Sequence, residues 1–439
     1  MNLPDAQSLR TGLQKPPSVV HWLSLVPIVL LLFVCSESMG TPKIVFSSLE
    51  VEAADEFQVG NNSFGPGFLR LIGRAELALT ENLTAKAMVS PCGGPYRTRP
   101  EGVTQCAVYR LIEELTLNGD YNRFSFSVGR QVVTQGNTEG FILLDRYNGR
   151  DYCRFTRLDV QNKLPNWMAR GKASLGDSTS LTLTYAPFSG QSYLPQAGSY
   201  CEDSFHGLGQ FSYLHDPNNN SFSDGAGGAE LAFSHDRWSA TLNVMSTMED
   251  LYTLKTIPLP QKDKSRTLWV GGTSTVSLGS VIVRGEIAFS PSRDFTMTPS
   301  AAMGRLMRGG VTNGVDQRWN LLAAFGIEGR NDEWYWALQY FDDRIGSGDA
   351  LVRDEESHYL SLRFRRAFLN DRIALDSFTV FDIDYSDLAI RATVSYEFNE
   401  KTTVMIGGTG YVDFDHNTGW FGSYEGRESV FLKIRRTIF

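Results

Sequence analysis

Hydrophobic side chains recur at every second position through most of the chain beyond residue 42. In residues 318–343, one face of the first arm carries Trp319, Leu321, Ala323, Phe325 and Ile327. A period of two is that of a β-strand, because successive side chains point to opposite faces. Leu322 is the exception to the pattern. The residues from Gly329 to Asp332 then supply turn chemistry, and the alternation resumes, so the stretch predicts a β-hairpin.

The hairpin repeats along the chain, and its connectors alternate between two lengths. Short polar turns are expected near residues 80–82, 118–121, 176–178, 235–237, 278–279, 329–332, 370–371 and 399–401. Longer connectors are expected at 90–105, 132–165, 187–225, 247–264, 291–317, 342–355, 384–387 and 413–426. Arms of about ten residues suit tilted transmembrane strands. Counting residues 43–56 as the first strand, the pattern predicts an all-β, antiparallel outer-membrane β-barrel of about 18 strands, with a range of roughly 16–20. The alternative fold is a soluble, secreted β-rich protein.

The N-terminus carries an apolar run at residues 22–34 that is too short to span a membrane comfortably. It has the character of a secretory signal, with cleavage expected after Gly40. The sequence therefore predicts a signal peptide with a leader at 1–40 and a barrel at 41–439, located in the outer membrane of a Gram-negative bacterium. At the C-terminus, Phe439 follows an amphipathic strand, as expected for recognition by the barrel-assembly machinery. Its parity places it on the face opposite Ile438.

The charge balance excludes one class of partner. The chain has 439 residues and a formal net charge of −8, without basic runs, so no nucleic-acid partner is expected. Four cysteines remain after cleavage, all in the long connectors: Cys92, Cys106, Cys153 and Cys201. An even number in an exported chain indicates disulfides, with three possible pairings. We favour Cys92–Cys106 and Cys153–Cys201, and unpaired buried thiols are the alternative.

Charged residues occupy the parity opposite to the apolar positions, so they are predicted to line the lumen. The candidates for the pore lining are Arg70, Arg74, Glu76, Arg110, Arg284, Arg363, Arg365, Arg391, Lys433 and Arg435. They favour two interpretations that both stay open. The first is a cationic lane that draws anionic or polyhydroxylated solutes, with Arg70, Arg74, Lys433 and Arg435 on one wall. The second is a ladder of Arg–Glu pairs, such as Arg74–Glu76 and Arg284–Glu286 two residues apart on one strand, that satisfies a polar interior.

Metal and enzyme signatures are weak or missing. Asp413, Asp415 and Asn417 show a loose likeness to a calcium loop, but solvated carboxylates are the simpler interpretation. Neither a catalytic motif nor a nucleotide-binding motif is present, so an enzyme and a cofactor are not expected.

One stretch, residues 111–187, has a family resemblance. It is carried by Gly129-Arg130-Gln131, Gly136, Gly140-Phe141, Asp145, Asn148, Arg150-Asp151, Leu164-Pro165-Asn166-Trp167 and Tyr185-Ala186-Pro187. The stretch resembles a family of proteobacterial outer-membrane proteins defined only as a domain of unknown function, and the Gly-Arg-Gln element also resembles alginate-export barrels. Gln135 and Gly149 depart from the family pattern. The resemblance implies a barrel whose loop 132–165 folds back toward the pore, with Arg130, Asp145 and Arg150 as candidates for holding this constriction.

The expected function is therefore a passive outer-membrane channel for a small-molecule solute. Its expected partners are outer-membrane lipid and lipopolysaccharide, together with the barrel-assembly machinery through the last strand. A barrel that serves as a structural sleeve in an export or electron-transfer complex is the alternative.

Overall fold

The structure, a computed structural model, describes most of the chain beyond the leader. The described residues are 43–59, 63–64, 68–93, 111–138, 140, 142–150, 163–188, 190, 192, 224–249, 252–331, 333–415, 419, 421–424, 426 and 428–438. The predicted signal peptide, Arg110, Cys106, Cys153, Cys201, Asn417 and Phe439 lie outside them, as does the side chain of Cys92. The expectations for those residues stay predictions.

Eighteen antiparallel strands form one closed barrel, as predicted. In chain order they are β1 (Lys43–Gln58), β2 (Phe68–Thr80), β3 (Leu83–Val89), β4 (Ile112–Tyr121), β5 (Phe124–Gln131), β6 (Asn166–Ser174), β7 (Thr179–Ala186), β8 (Ala226–His235), β9 (Trp238–Met248), β10 (Arg266–Leu278), β11 (Val281–Thr296), β12 (Val315–Arg330), β13 (Trp334–Ile345), β14 (Glu356–Phe368), β15 (Ile373–Asp382), β16 (Asp387–Asn399), β17 (Thr402–Asp413) and β18 (Ser429–Thr437). Two-residue strands at Ser63–Phe64 and Cys92–Gly93 extend the same sheet.

Each strand pairs with its chain neighbours, and the first strand pairs with the last. In the closing register Glu52 lies opposite Arg435 of β18 on one side and opposite Arg70 of β2 on the other. Because consecutive antiparallel strands alternate in direction, the short turns lie at one end of the barrel and the long connectors at the other. Connectors 132–165 and 187–225 have the predicted bounds.

The exterior is an apolar surface built by the predicted parity. Exposed apolar side chains recur two residues apart on successive strands, for example Leu268 and Val270 on β10 and Leu360 and Leu362 on β14. Exposed aromatics lie near both strand ends: Trp238, Phe368 and Phe398 near the short turns, and Tyr185, Trp319 and Tyr340 near the long connectors. A lipid-facing band with two aromatic girdles is the exterior of an outer-membrane barrel.

The long-connector end carries additional structure. A helix, α1 (Pro299–Met307), follows β11 and is capped by Thr298, whose hydroxyl accepts from the amide of Ala301. Arg305 ties the helix to Asp316 and Asp349 at 2.7 and 2.6 Å. A short hairpin, Thr253–Lys255 with Gln261–Asp263, lies in the connector before β10. None of the helices in the described part of the chain is long and apolar enough to cross a membrane.

Two turns lie a few residues later than predicted. The turn after β4 is formed at Asn122 and Arg123, with Asn122 in the left-handed region at φ 54°, so Gly119 stays inside the strand. The turn after β12 likewise begins beyond Gly329. In both cases an aromatic ring of the partner strand, Phe126 or Trp336, fills the space that a side chain at the glycine would need. These glycines are therefore packing positions within strands.

Candidate functional site: a loop folded into the barrel lumen

We call the connector between β5 and β6, residues 132–165, the inward loop, because its described residues at 133–147 pack inside the barrel. Leu143, Leu144 and Tyr147 of this loop are buried. They pack in one apolar cluster with lumen-facing side chains of β6 through β17. We call these lumen-facing side chains the packed side. They are Met168, Ala186, Ala226, Met245, Trp269, Ala288, Leu322, Ala324, Phe341, Tyr359, Phe378, Val380, Ala389 and Tyr411. Leu322, the exception in the alternating pattern, faces the lumen and is buried within this cluster.

One wall carboxylate, Glu286 of β11, holds the loop from across the lumen. Its Oε1 accepts hydrogen bonds from the backbone amides of Leu143 and Leu144, both at 2.7 Å. Its Oε2 accepts from the hydroxyl of Thr138 at 2.9 Å and from the amide of Asn137 at 3.3 Å. Hydrogen bonds to a charged acceptor are stronger than those between neutral groups, so Glu286 is a latch for the loop.

A second set of contacts fixes the same part of the loop. Arg284, two residues before the latch, donates from Nη1 to the carbonyl of Asn137 at 2.9 Å and from Nη2 to Glu328 at 2.6 Å. The side-chain amide of Asn137 donates from Nδ2 to the hydroxyl of Thr275 at 2.5 Å. Residue 137 is thus bonded to both β10 and β11.

Glycines in the barrel wall and in the loop allow the two to pack closely against each other. A Cβ on Gly228 of β8 would collide with the Tyr147 hydroxyl, and one on Gly271 of β10 would lie 2.8 Å from Leu144 Cδ2. Within the loop, Gly136 and Gly140 adopt φ values of +102° and +81°, which favour glycine. A Cβ on Gly140 would lie 2.7 Å from the Phe378 ring of β15, so the loop reaches the far wall.

The stem of the loop is held by its own residues. The Asn148 side chain accepts from the amide of Val133 at 2.9 Å and donates to the carbonyls of Gln131 and Leu164 at 3.2 and 2.9 Å. Asp145, one of the predicted constriction residues, forms an almost completely buried ion pair with Lys163. Burial raises the pKa of the Asp145 carboxyl, while the charge of Lys163 opposes that shift. The Lys163 ammonium also donates to the hydroxyl of Thr134 at 2.8 Å.

The other two predicted constriction residues have different surroundings. Arg130 has the parity of the lipid-facing Val128, and its Nε donates to the carbonyl of Ile112 at 2.7 Å. It braces β5 against β4. The backbone amide of Arg150 donates to the hydroxyl of Ser192 at 2.9 Å, which connects the inward loop to the next long connector.

An arginine–aromatic stack borders the packed side. The guanidinium carbons of Arg146 in the loop and Arg293 on β11 lie 4.6 and 5.5 Å from the ring centroid of Trp269, which is completely buried. Arg293 also forms a 2.8 Å ion pair with Glu249. These contacts join the loop, β10 and β11 by cation–π and ionic interactions.

Described residues of the connector between β17 and β18 also pack inward. Phe421 and Tyr424 are buried, and the ring of Tyr424 stacks on Tyr411 with 5.1 Å between centroids. The amide of Gly422 donates to the carboxylate of Asp387 at 2.7 Å. Acids at this end of the barrel thus bind backbone amides. Among the described residues, which include Asp413 and Asp415, no group of three or more metal-ligating side chains is placed to hold an ion.

Lumen-facing residues of β18, β1, β2 and β3 form what we call the charged wall, and it contains ion pairs. Arg70 pairs with Glu113 of β4, and Arg74 pairs with Glu50. Lys433 lies 2.7 Å and Arg435 3.8 Å from Glu52, and Lys86 lies 2.9 Å from Glu76. Arg70, Arg74, Lys433 and Arg435 do share a wall, but β1 places carboxylates between them.

The predicted ion pairs along single strands are wrong. Arg74 pairs with Glu50 instead of Glu76, and Arg284 with Glu328 instead of Glu286. Both observed pairs join diagonal neighbours on adjacent strands. Arg74 lies opposite Ser48, two residues from Glu50, and Arg284 lies opposite Gly326, two residues from Glu328. Long side chains such as arginine and glutamate reach diagonal partners of this kind. The ladder therefore runs across the strands.

Three further predicted pore residues lie near the tip of the inward loop: Arg363 and Arg391 lie opposite Phe378, and Arg365 lies two residues closer to the short-turn end. Arg363 forms a 3.0 Å ion pair with Asp376 of β15. Arg391 of β16 lies over the ring of Phe431 at 5.7 Å. Arg365 follows Arg363 on the lumen parity and is exposed.

Sequence reasoning placed Glu286 in the lumen but missed its role, and it missed Glu50, Glu52, Glu113 and Lys163 as ionic partners. Leu322 was the available signal for the loop, because an apolar residue at lumen parity needs a covering partner. The Asn148 and glycine positions of the motif were a second signal, since they form the stem and the bends of the loop.

The fold is similar to that of known outer-membrane channels. Acinetobacter baumannii OccAB3 superposes with a TM-score of 0.52 at 10% identity, over 91% of this chain and 99% of that chain. OccAB1 from the same organism gives 0.51 at 9% identity, over 91% and 98%. Pseudomonas aeruginosa OccK5 gives 0.50 at 11% identity, over 91% and 98%. The likeness shows the fold. The chain matches no protein-family model and no curated protein sequence.

The chain is thus a divergent barrel of the outer-membrane type, and its fold and apolar exterior support the predicted location in the outer membrane. Membership of the unknown-function family, or of the alginate-export type, is not confirmed.

Proposed function

We propose that this chain is an outer-membrane channel through which small polar solutes diffuse, with the inward loop as its constriction. The observation that carries the proposal is the Glu286 latch. It holds the loop across a closed barrel, from the end of β5 to the far wall at Phe378. A loop fixed inside a barrel narrows the passage without closing the ring of strands. No covalent chemistry is required.

The expected solutes are anionic or polyhydroxylated. Lumen-facing arginines at positions 363, 365 and 391 support attraction of anions, and the paired charges of the charged wall offer hydrogen bonds to hydroxyl groups. A structural sleeve needs a lumen wide enough for a partner protein, and the packed side occupies that space.

The remaining expectations belong to the same proposal. Lipid and lipopolysaccharide would contact the apolar exterior, and the last strand would be recognised by the barrel-assembly machinery. The leader at 1–40 would direct export, with disulfides among the four cysteines of the long connectors.

Single-channel recording in planar bilayers tests the proposal. We expect stable conductance steps from the wild-type barrel. In Glu286→Gln the amide nitrogen cannot accept a hydrogen bond, which weakens loop docking by about 3 kcal/mol. We therefore expect a higher, flickering conductance from this variant.

Glu76→Gln is the matched control, because Glu76 also faces the lumen but pairs with the exposed Lys86 and makes no described contact with the loop. The control is expected to keep the wild-type conductance pattern. A folded wild-type barrel without conductance would refute the channel proposal. Identical traces from both variants would refute the latch.

A further inference from the structure

We propose that Arg365 is the residue that recognises anions in this channel, and that its ligands are small solutes carrying a carboxylate or phosphate group. The inference builds on the proposed channel function and names the side chain that selects the solute. It moves anion recognition from the charged wall, where the sequence pattern places it, to the region near the tip of the inward loop.

The first argument compares Arg365 with two arginines of the charged wall. Arg70 and Arg74 are bonded to Glu113 and Glu50, so the charge of each is already paired with a carboxylate. Arg365 forms neither an ion pair nor a hydrogen bond with another residue in the described part of the chain, and its side chain is exposed. A guanidinium with unengaged donors in a lumen is available to a solute, whereas a paired one must first break its own ion pair.

The second argument is the local charge. Arg365 lies directly opposite Asp376 of β15, which is the neighbouring strand. That carboxylate is bonded to Arg363 through Nη2 at 3.0 Å. Arg363 therefore balances the charge of Asp376, and Arg365 adds a positive charge that no described ion pair balances.

The third argument is the position relative to the constriction. The loop tip at Gly140 meets Phe378, and Phe378 lies opposite Arg363 on one side and Arg391 on the other. Arg365 is two residues closer to the short-turn end than Arg363, a step of roughly 6.6 Å. A solute that passes the loop tip on this side therefore meets Arg365 next.

The chemistry of the group sets the ligand class. A guanidinium presents a planar fork of N–H donors that matches the two oxygens of a carboxylate or phosphate. A chloride ion gains the charge attraction but cannot use the fork. Oxyanions should therefore occupy the site longer than chloride and reduce the chloride current.

Block of the chloride current by succinate and by inorganic phosphate tests the inference. In Arg365→Met we expect the apparent dissociation constant for block to rise about tenfold, which corresponds to ~1.4 kcal/mol. Arg365→Lys keeps the charge but loses the fork, so we expect chloride selectivity near wild type and block weakened severalfold.

Arg74→Met is the control for net charge, because it removes the same charge from a lumen arginine that is bonded to Glu50 and Ser48. Its dissociation constants for block are expected to stay within about twofold of wild type. Loss of sensitivity to either oxyanion in Arg365→Met alone supports the inference. Equal changes in Arg365→Met and Arg74→Met, or none in either, overturn it while leaving the channel intact. A wild-type barrel without current refutes the channel itself.

Discussion

The packed side and the charged wall are two halves of one lumen that are stabilised in different ways. The packed side excludes water: Leu144 and Trp269 have no exposed surface, and the inward loop supplies part of the cluster. The charged wall keeps partly exposed ion pairs, such as Lys86–Glu76, whose side chains are 42% and 46% exposed. The first resembles the core of a soluble protein, and the second resembles a hydrated surface. The ion pairs of the charged wall therefore include partly exposed ones, whereas the packed side holds residues with no exposed surface.

The largest expected difference in stability between the packed side and the charged wall is that produced by Trp269→Ala. The ring is completely buried between Arg146 and Arg293, so its removal leaves a cavity and should lower the free energy of unfolding by about 3–5 kcal/mol. Lys86→Met on the charged wall should cost at most about 1 kcal/mol, because its ion pair is exposed. Guanidinium unfolding in lipid vesicles measures both. Equal losses would contradict the division into two halves.

A smaller effect is expected from Gly271→Ala. The new Cβ would collide with the carbonyl oxygen of Ile287 and lie 2.8 Å from Leu144, so the loop or the strand must shift, at about 1–3 kcal/mol. Gly285→Ala on the next strand is the control, because the nearest heavy atom to its Cβ is 4.0 Å away. We expect lower stability and larger conductance only in Gly271→Ala. A larger loss in Gly285→Ala would show that the glycine is not a notch for the loop.

The smallest effect is expected when a whole ion pair is removed from the charged wall. Arg74→Met/Glu50→Gln keeps the net charge, and the pair is partly exposed, so stability should change by less than about 1 kcal/mol. Each single variant leaves an unpaired charge and should change the reversal potential more than the double variant does. Reversal potentials in asymmetric KCl provide the comparison, and a double variant that differs most from wild type would count against a compensated wall.

Most of the barrel was predictable because lipid imposes one rule on every strand. Apolar parity fixed the exterior, and the alternation of turn lengths fixed the strand number and the bounds of the inward loop. The ion-pair partners were not predictable, since they depend on register between strands, which a period of two does not reveal. The acidic residues of β1 illustrate this: Glu50 and Glu52 acquire their roles only through the closing contact with β18 and the pairing with β2.

The part of the barrel wall that the inward loop contacts also could not be predicted from the alternating pattern. Apolar residues such as Leu322 at lumen parity break the alternation and look like noise until a partner covers them. Two glycines also led to wrong turn positions. Gly119 and Gly329 indicated turns, but each lies within a strand and leaves room for an aromatic ring of the neighbouring strand, Phe126 or Trp336.

The Glu286 latch also constrains the order of assembly. Its donors lie in residues 137–144, and the two backbone amides bonded to Oε1 are 143 and 142 residues upstream of the acceptor. Contacts of such sequence separation are slow to form, because a long stretch of chain must be ordered first. The strand that carries Glu286 must therefore be in place before the loop can dock, and the contact at Phe378 needs strands that are synthesised later still. We therefore expect the inward loop to dock only after the strands that carry Glu286 and Phe378 have paired.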